Sequence, residues 1–292
     1  MIHNIQLNVI KVIVTFSGLL LLANNTIASD CNRDSGDLKL PCYTLARNEA
    51  ALGSPSAMIS TFKRSRSPVE QIAKGLKNTF SLNAQQVAKL LAEENYSSVE
   101  TAKAMKLAYQ GSNSQISAWL KNAGYSGKEI AKALKQSLSV SAEINAHLCK
   151  KIFKASVSQV SQWLKSAGYS ALQVAPALSR VEKDEQKMMQ ALKSSFNLTA
   201  KQLVGILKKT KKIMTLQRCK PEQCDGPARL LKNINYPLKD VIVALKQHFH
   251  LTASAAYTIA NSIYRANHQE IKQVLGSSGY TSNEILKNIT HQ

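Results

Sequence analysis

Apolar positions recur three and four residues apart along most of this chain, the period of a helix that packs on one side. Ile130 and Leu134 are such a pair, four apart on one face. The alternation of β-branched residues that marks strands is absent. The pattern also repeats. Segments 119–134, 163–178, 230–245 and 274–289 align without gaps, each with a tyrosine at its seventh position: Tyr125, Tyr169, Tyr236 and Tyr280. A weaker copy starts at Leu90 and carries Tyr96 and Met105, and 67–76 is a further copy without the tyrosine. Leu76, Met105 and Leu134 follow one another at intervals of 29; Tyr125 to Tyr169 and Tyr236 to Tyr280 are each 44. The stretch 119–179 matches 230–290 at an offset of 111, placing Lys135 on Lys246, Phe153 on Tyr264 and Gly168 on Gly279. The longer unit equals the shorter plus one helix and its turn, which is the mark of duplication.

Each unit reads as helix, turn, helix. Ser126, Ser170 and Thr281 precede Glu129, Gln173 and Glu284 by three residues, the spacing at which hydroxyl and carboxyl or carboxamide satisfy a helix's first amides. Pro68 takes the serine's place in the first copy, as a first turn allows. A second start signal recurs at 80–84, 196–200 and 249–253, with 138–142 as a variant. Gly124, Gly168 and Gly279 stand where the preceding helix must turn through a left-handed conformation. A single hairpin of this size cannot bury its own apolar face, so neighbours must stack. The expected fold is all-α: repeated helical hairpins stacked as an α-solenoid or superhelical bundle.

The repeat does not cover the whole chain. Residues 1–28 read as an export signal: Lys11 closes a polar region, 12–23 is apolar, and Thr26-Ile27-Ala28 offers small side chains for cleavage. The apolar run is about twelve residues against the roughly twenty of a membrane span, so release into a secreted or periplasmic setting is expected. Residues 29–66 then form a disulfide-tethered segment, 67–217 a first repeat region, 218–227 a disulfide loop or hinge, and 228–292 a second repeat region. Export permits disulfides, and the expected pairs are the sequence neighbours, Cys31 with Cys42 and Cys219 with Cys224. Cys149, inside a helical stretch, reads as a buried thiol. No histidine accompanies Cys219 and Cys224, and no metal or other cofactor is expected.

The phrase from Leu120 to Ile130, Leu-Lys-Asn-Ala-Gly-Tyr-Ser-Gly-Lys-Glu-Ile, with Ala-Leu-Lys after it, resembles the helical repeats of mitochondrial transcription termination factors. Those are solenoids that bind nucleic acid through a basic surface. The resemblance covers about eleven positions per unit and implies stacked hairpins. The later proline of that pattern is missing from most copies, and an export signal points away from a mitochondrial reader. No binding residue is carried over.

Charge adds the functional expectation. The chain of 292 residues carries a formal net charge of +20, and the leader would remove only Lys11. That excess points to anionic partners: acidic glycans, lipid head groups or nucleic acid. The clusters are Lys63, Arg64 and Arg66; Lys150, Lys151 and Lys154; and Lys208, Lys209, Lys211 and Lys212. The competing reading for each is a solvated helix face. Trp119 and Trp163 share a repeat position with Leu90, Leu230 and Val274, so packing is expected of them, and likewise of the recurring tyrosines. His248 and His250 stand where other copies have Thr79 and Ser81, which makes them surface residues. No acid–base or nucleophile set emerges, and no enzyme is expected. The leading expectation is an exported binding protein with a cationic surface; the alternatives are a protein–protein interaction module, such as a bacterial effector or colonisation factor, and a membrane-active toxin. Oligomeric state is left open.

Overall fold

The computed structural model describes residues 53–210 and 214–289. The expected leader, Cys31, Cys42, Lys211 and Lys212 lie outside them. The described residues are helical and form no strand, and the chain divides into two compact units between Ser126 and Gly127.

The first unit holds α1 (Pro55–Arg64), α2 (Val69–Phe80), α3 (Ala84–Glu93), α4 (Ser98–Tyr109) and α5 (Asn113–Asn122). Here α2 packs on α4 and α3 on α5, and Ile59, Ile72, Leu76, Leu91, Met105 and Leu120 are fully buried. A helix also precedes the expected start of the repeats at residue 67. α1 buries Met58, Ile59 and Phe62 and packs on α2, so its residues belong to the stack. Lys63 to Arg66 form its closing turn, with Ser65 and Arg66 amides bonded to Thr61 and Lys63 carbonyls.

The second unit holds α6 (Gly127–Leu138), α7 (Ala142–Phe153), α8 (Val157–Ser166), α9 (Ala171–Val181), α10 (Glu185–Phe196), α11 (Ala200–Thr210) and α12 (Met214–Gln217). It continues with α13 (Asp225–Asn233), α14 (Leu238–Phe249), α15 (Ala253–Thr258) running into a π-helix (Ile259–Tyr264), α16 (His268–Ser277) and α17 (Ser282–Ile289). Two layers alternate along the chain. α6, α8, α10, α13, then α15 with its π-helix, make one, and α7, α9, α11, α14 and α16 the other, each helix packed on the next in its layer. One 29-residue pair adds a helix to each layer, so inserting a single helix switches the layer in which a tyrosine turn falls. Accordingly Tyr169 and Tyr236 follow helices of one layer and Tyr280, 44 residues on, follows α16 in the other.

The expected starts are present. Ser170 with Gln173 and Thr281 with Glu284 exchange the paired cap bonds. Asn83, Ser141, Thr199 and Thr252, from the second start signal, each accept an amide of the first turn. Gly168 and Gly279 take φ of +92° and +82°. The expected hinge at 218–227 lies inside the second unit. α11 packs on α14 across it, and one apolar core runs from Ala131 to Ile285 without a break there. The loop is pinned by the Cys219–Cys224 disulfide and by the Thr252 amide on the Pro221 carbonyl.

Candidate anion-binding surface

Most described helices carry a basic residue in the last turn, and many of these lysines bond the closing carbonyls of a later helix in the same layer. Lys63 Nζ donates to Glu94 O at 2.8 Å and Lys77 to Ala108 O at 2.9 Å. In the second unit Lys135 reaches Gly168 O, Lys208 reaches His248 O and Lys232 reaches Ile263 O. Lys193 bonds Ile234 O at 2.7 Å and Asn235 O at 3.0 Å, and Lys246 bonds Gly279 O at 2.6 Å and Ser278 O at 3.2 Å. Each ammonium also lies over an aromatic ring of that same turn: Lys193 over Tyr236 at 4.1 Å, Lys246 over Tyr280 at 3.9 Å. Lys165 stands over Phe196 without a carbonyl bond of this kind.

The last carbonyls of a helix lack amide donors and carry the negative end of its dipole. A lysine from the neighbouring parallel helix answers both, and the ring face adds an attraction for the cation. The tyrosine beneath is anchored in turn. Its hydroxyl donates to a carbonyl of the preceding repeat: Tyr125 to Tyr96 O at 2.6 Å, Tyr264 to Tyr236 O at 2.9 Å, Tyr280 to Leu251 O at 2.7 Å. Tyr169 donates to Val140 O and receives Asn145 Nδ2 at 3.3 Å. Lysine, aromatic ring and carbonyl together form a clamp that ties neighbouring repeats.

Burial pushes Tyr109, Tyr236 and Tyr280 up to about 12. A raised acid favours the folded state below its unfolded value near 10 and loses that contribution as pH climbs through 12. Tyrosinate absorbance and helical circular dichroism are therefore expected to change together between about pH 10 and 12. Full tyrosinate formation near pH ~10 with the helices intact would contradict the buried clamp.

The candidate cations divide on this geometry. Lys63 and Lys208 are clamp members. Arg64 bonds Thr61 Oγ1 at 3.3 Å, and Arg66 is exposed in a left-handed turn. Lys150 holds the clamp position, three residues before the closing aromatic, shared by Lys77, Lys193 and Lys246. It has no counterpart to bind, because α9 ends on Val181 and Glu182 without the aromatic turn. Among the described residues the side chains of Lys150, Lys151, Lys154 and Lys209 make no hydrogen bond, ion pair or ring contact, and the last three are exposed. Lys150, Lys151 and Lys154 stand together at the end of α7, whereas α9 lies between α7 and α11 in the layer. Glu143, on α7 itself, pairs with Arg180 at 3.5 Å.

The clamp is what sequence reasoning missed. Its signal is visible in retrospect as a lysine held at one repeat position while its surface neighbours vary. The other singled-out residues have structural duties. Trp119 packs edge-on to Tyr109 and Trp163 to Phe153, at 6.3 and 5.5 Å. His248 is half-buried against Gly205, its Nε2 at 3.0 Å from Lys201 O. Cys149 is buried, its Sγ donates to Asn145 Oδ1, and desolvation pushes the thiol up to about 12. A cleft of about 540 Å³ beside the disulfide is lined by Leu207, Lys208, Leu216, Pro221, His248 and Phe249 among others; its cation is already held by His248 O. No described helix is long and apolar enough to cross a membrane, and the disulfide is compatible with an extracellular or periplasmic location. No protein-family model matches the chain, and no curated protein matches it significantly.

Proposed function

We propose that this chain is an exported helical-repeat binding protein that presents a cationic surface of its second unit to an anionic macromolecule or surface. The observation that supports the reading is the free triplet Lys150, Lys151 and Lys154. Where equivalent lysines complete the fold, the ammonium groups of these three make no ion pair, and Lys151 and Lys154 are exposed. Long-range attraction from such a patch speeds encounter with a polyanion and weakens steeply with salt. The clamp lysines add to the field around the molecule, but their ammonium groups are held by backbone carbonyls.

The test is binding of the mature protein to immobilised heparin and to short duplex DNA across a salt series. Affinity is expected to fall linearly on logarithmic axes, and Lys150→Ser/Lys151→Ser/Lys154→Ser should reduce the slope by about two to three. Undetectable binding at low salt to heparin, DNA and anionic vesicles alike would end this reading.

A further inference from the structure

The internal duplication supplies a control for the surface around that triplet. At an offset of 111, α7 corresponds to α15 with its π-helix, and the start of α9 to the start of α17. Position by position, Ile144, Lys150, Lys151 and Lys154 face Ala255, Asn261, Ser262 and Arg265, and Leu172 faces Asn283. A helix forms in both copies, continuous α in the first and α running into π in the second, so a helical hairpin at this place does not require these side chains. Yet Ile144 is 51% exposed and Leu172 47%, whereas Ala255 is buried and Asn283 is polar. At these five positions the first copy carries two more solvent-facing aliphatic side chains and two more net cations than the second, which in turn exposes Leu286 (47%) where the first buries Ala175.

These residues belong to one surface. The starts of α7 and α9 are held side by side by the Tyr169 hydroxyl on Val140 O and by Asn145 on that hydroxyl. Ile144 and Leu172 both lie in those first turns. Arg180, from the last turn of α9, reaches back to Glu143 beside Ile144. Lys151 sits two turns beyond Ile144 on α7, with Lys150 and Lys154 flanking it.

We infer that this α7–α9 face docks on the head-group region of an anionic lipid bilayer, lying on the surface without crossing it. The inference rests on the cationic-surface reading above and names its partner. A dissolved polyanion offers nothing apolar to cover Ile144 and Leu172. A stable protein interface buries on the order of 1,600 Å² and places its charges at the rim of a larger apolar centre; two aliphatic side chains do not supply one. Interfacial lipid binding needs only shallow apolar insertion next to lysines, each drawn by the negative surface potential. The absence of a described helix able to span a bilayer accords with peripheral attachment.

The experiment is co-sedimentation of the mature protein with phosphatidylcholine vesicles, with and without phosphatidylglycerol, beside heparin binding as a second readout. Wild type is expected to bind only the anionic vesicles. Ile144→Ser/Leu172→Ser should weaken that binding about tenfold while leaving heparin affinity within about twofold. Lys150→Ser/Lys151→Ser/Lys154→Ser should weaken vesicle binding on the order of a hundredfold. Unchanged melting temperature and helical dichroism exclude misfolding as the cause. Heparin binding without vesicle binding would overturn the lipid assignment and leave the broader reading standing; failure of both would remove both. Vesicle binding indifferent to Ile144→Ser/Leu172→Ser, or self-association that this variant abolishes without vesicle binding, would also overturn it, the latter by making the face a protein interface.

Discussion

Lys246→Met and Lys193→Met are each expected to destabilise the protein by about 1–2 kcal/mol, whereas Lys150→Met should change stability by less than about 0.5 kcal/mol. The three lysines hold one repeat position and differ only in what their ammonium groups meet. Methionine keeps the apolar stem over the ring and removes the charge. At position 246 it would leave Gly279 O and Ser278 O without their donor and forfeit the attraction to Tyr280. A hydrogen bond to a charged group contributes about 1.5–3 kcal/mol and an exposed cation–π contact about 0.5–1. Water reaches these half-buried carbonyls in the variant, so part of that sum is recovered. Chemical denaturation with unchanged m-values measures the difference. Equal losses at 150 and 246 would show that the position matters for helix propensity alone.

Gly127→Ala is expected to cost about 1–3 kcal/mol even though alanine is the better helix former. A Cβ at Gly127 would stand 2.3 Å from Trp163 Cζ3 and 2.4 Å from Cη2, well inside contact distance. The indole has little freedom to retreat, because its other side packs edge-on to Phe153 at 5.5 Å. Gly276 offers the comparison: it too lies within a helix, and a Cβ there meets nothing within 4 Å. Gly276→Ala should therefore be neutral or slightly stabilising. Thermal melts of the two alanine variants decide the matter, and a stabilised Gly127→Ala would mean that Trp163 is free to move.

The local features of this fold are legible in the sequence because they depend on nearest neighbours. A serine three residues before glutamine, or a glycine before tyrosine, acts within one turn, and Ser170, Gln173 and Gly168 do what that spacing implies. The role of Trp163 as a packing residue was legible too, since leucine and valine share its position. The clamp was not. Whether a helix-terminal lysine is a solvated charge or a cap depends on which turn stacks beside it, some thirty to forty residues away in sequence. Lys208 reads as the centre of a basic cluster until His248 O is found against it. Lys150 reads as its equivalent until α9 proves to end without the aromatic turn. The place of α1 was hidden for a related reason: it lacks the tyrosine motif, and it joins the repeat scheme through its packing on α2 and through Lys63 on Glu94 O.

One repeat lysine is structural where an aromatic turn receives it and, in the function proposed above, free for a partner where none does. The most direct test crosses the two properties, measuring denaturation and heparin affinity on Lys193→Met/Lys246→Met and on Lys150→Met/Lys151→Met/Lys154→Met. The first variant should lose stability and, under native conditions, keep most of its heparin affinity; the second should keep its stability and lose affinity on the order of a hundredfold at low salt. Parallel losses in both variants, or affinity that follows total charge wherever the lysines are removed, would contradict it.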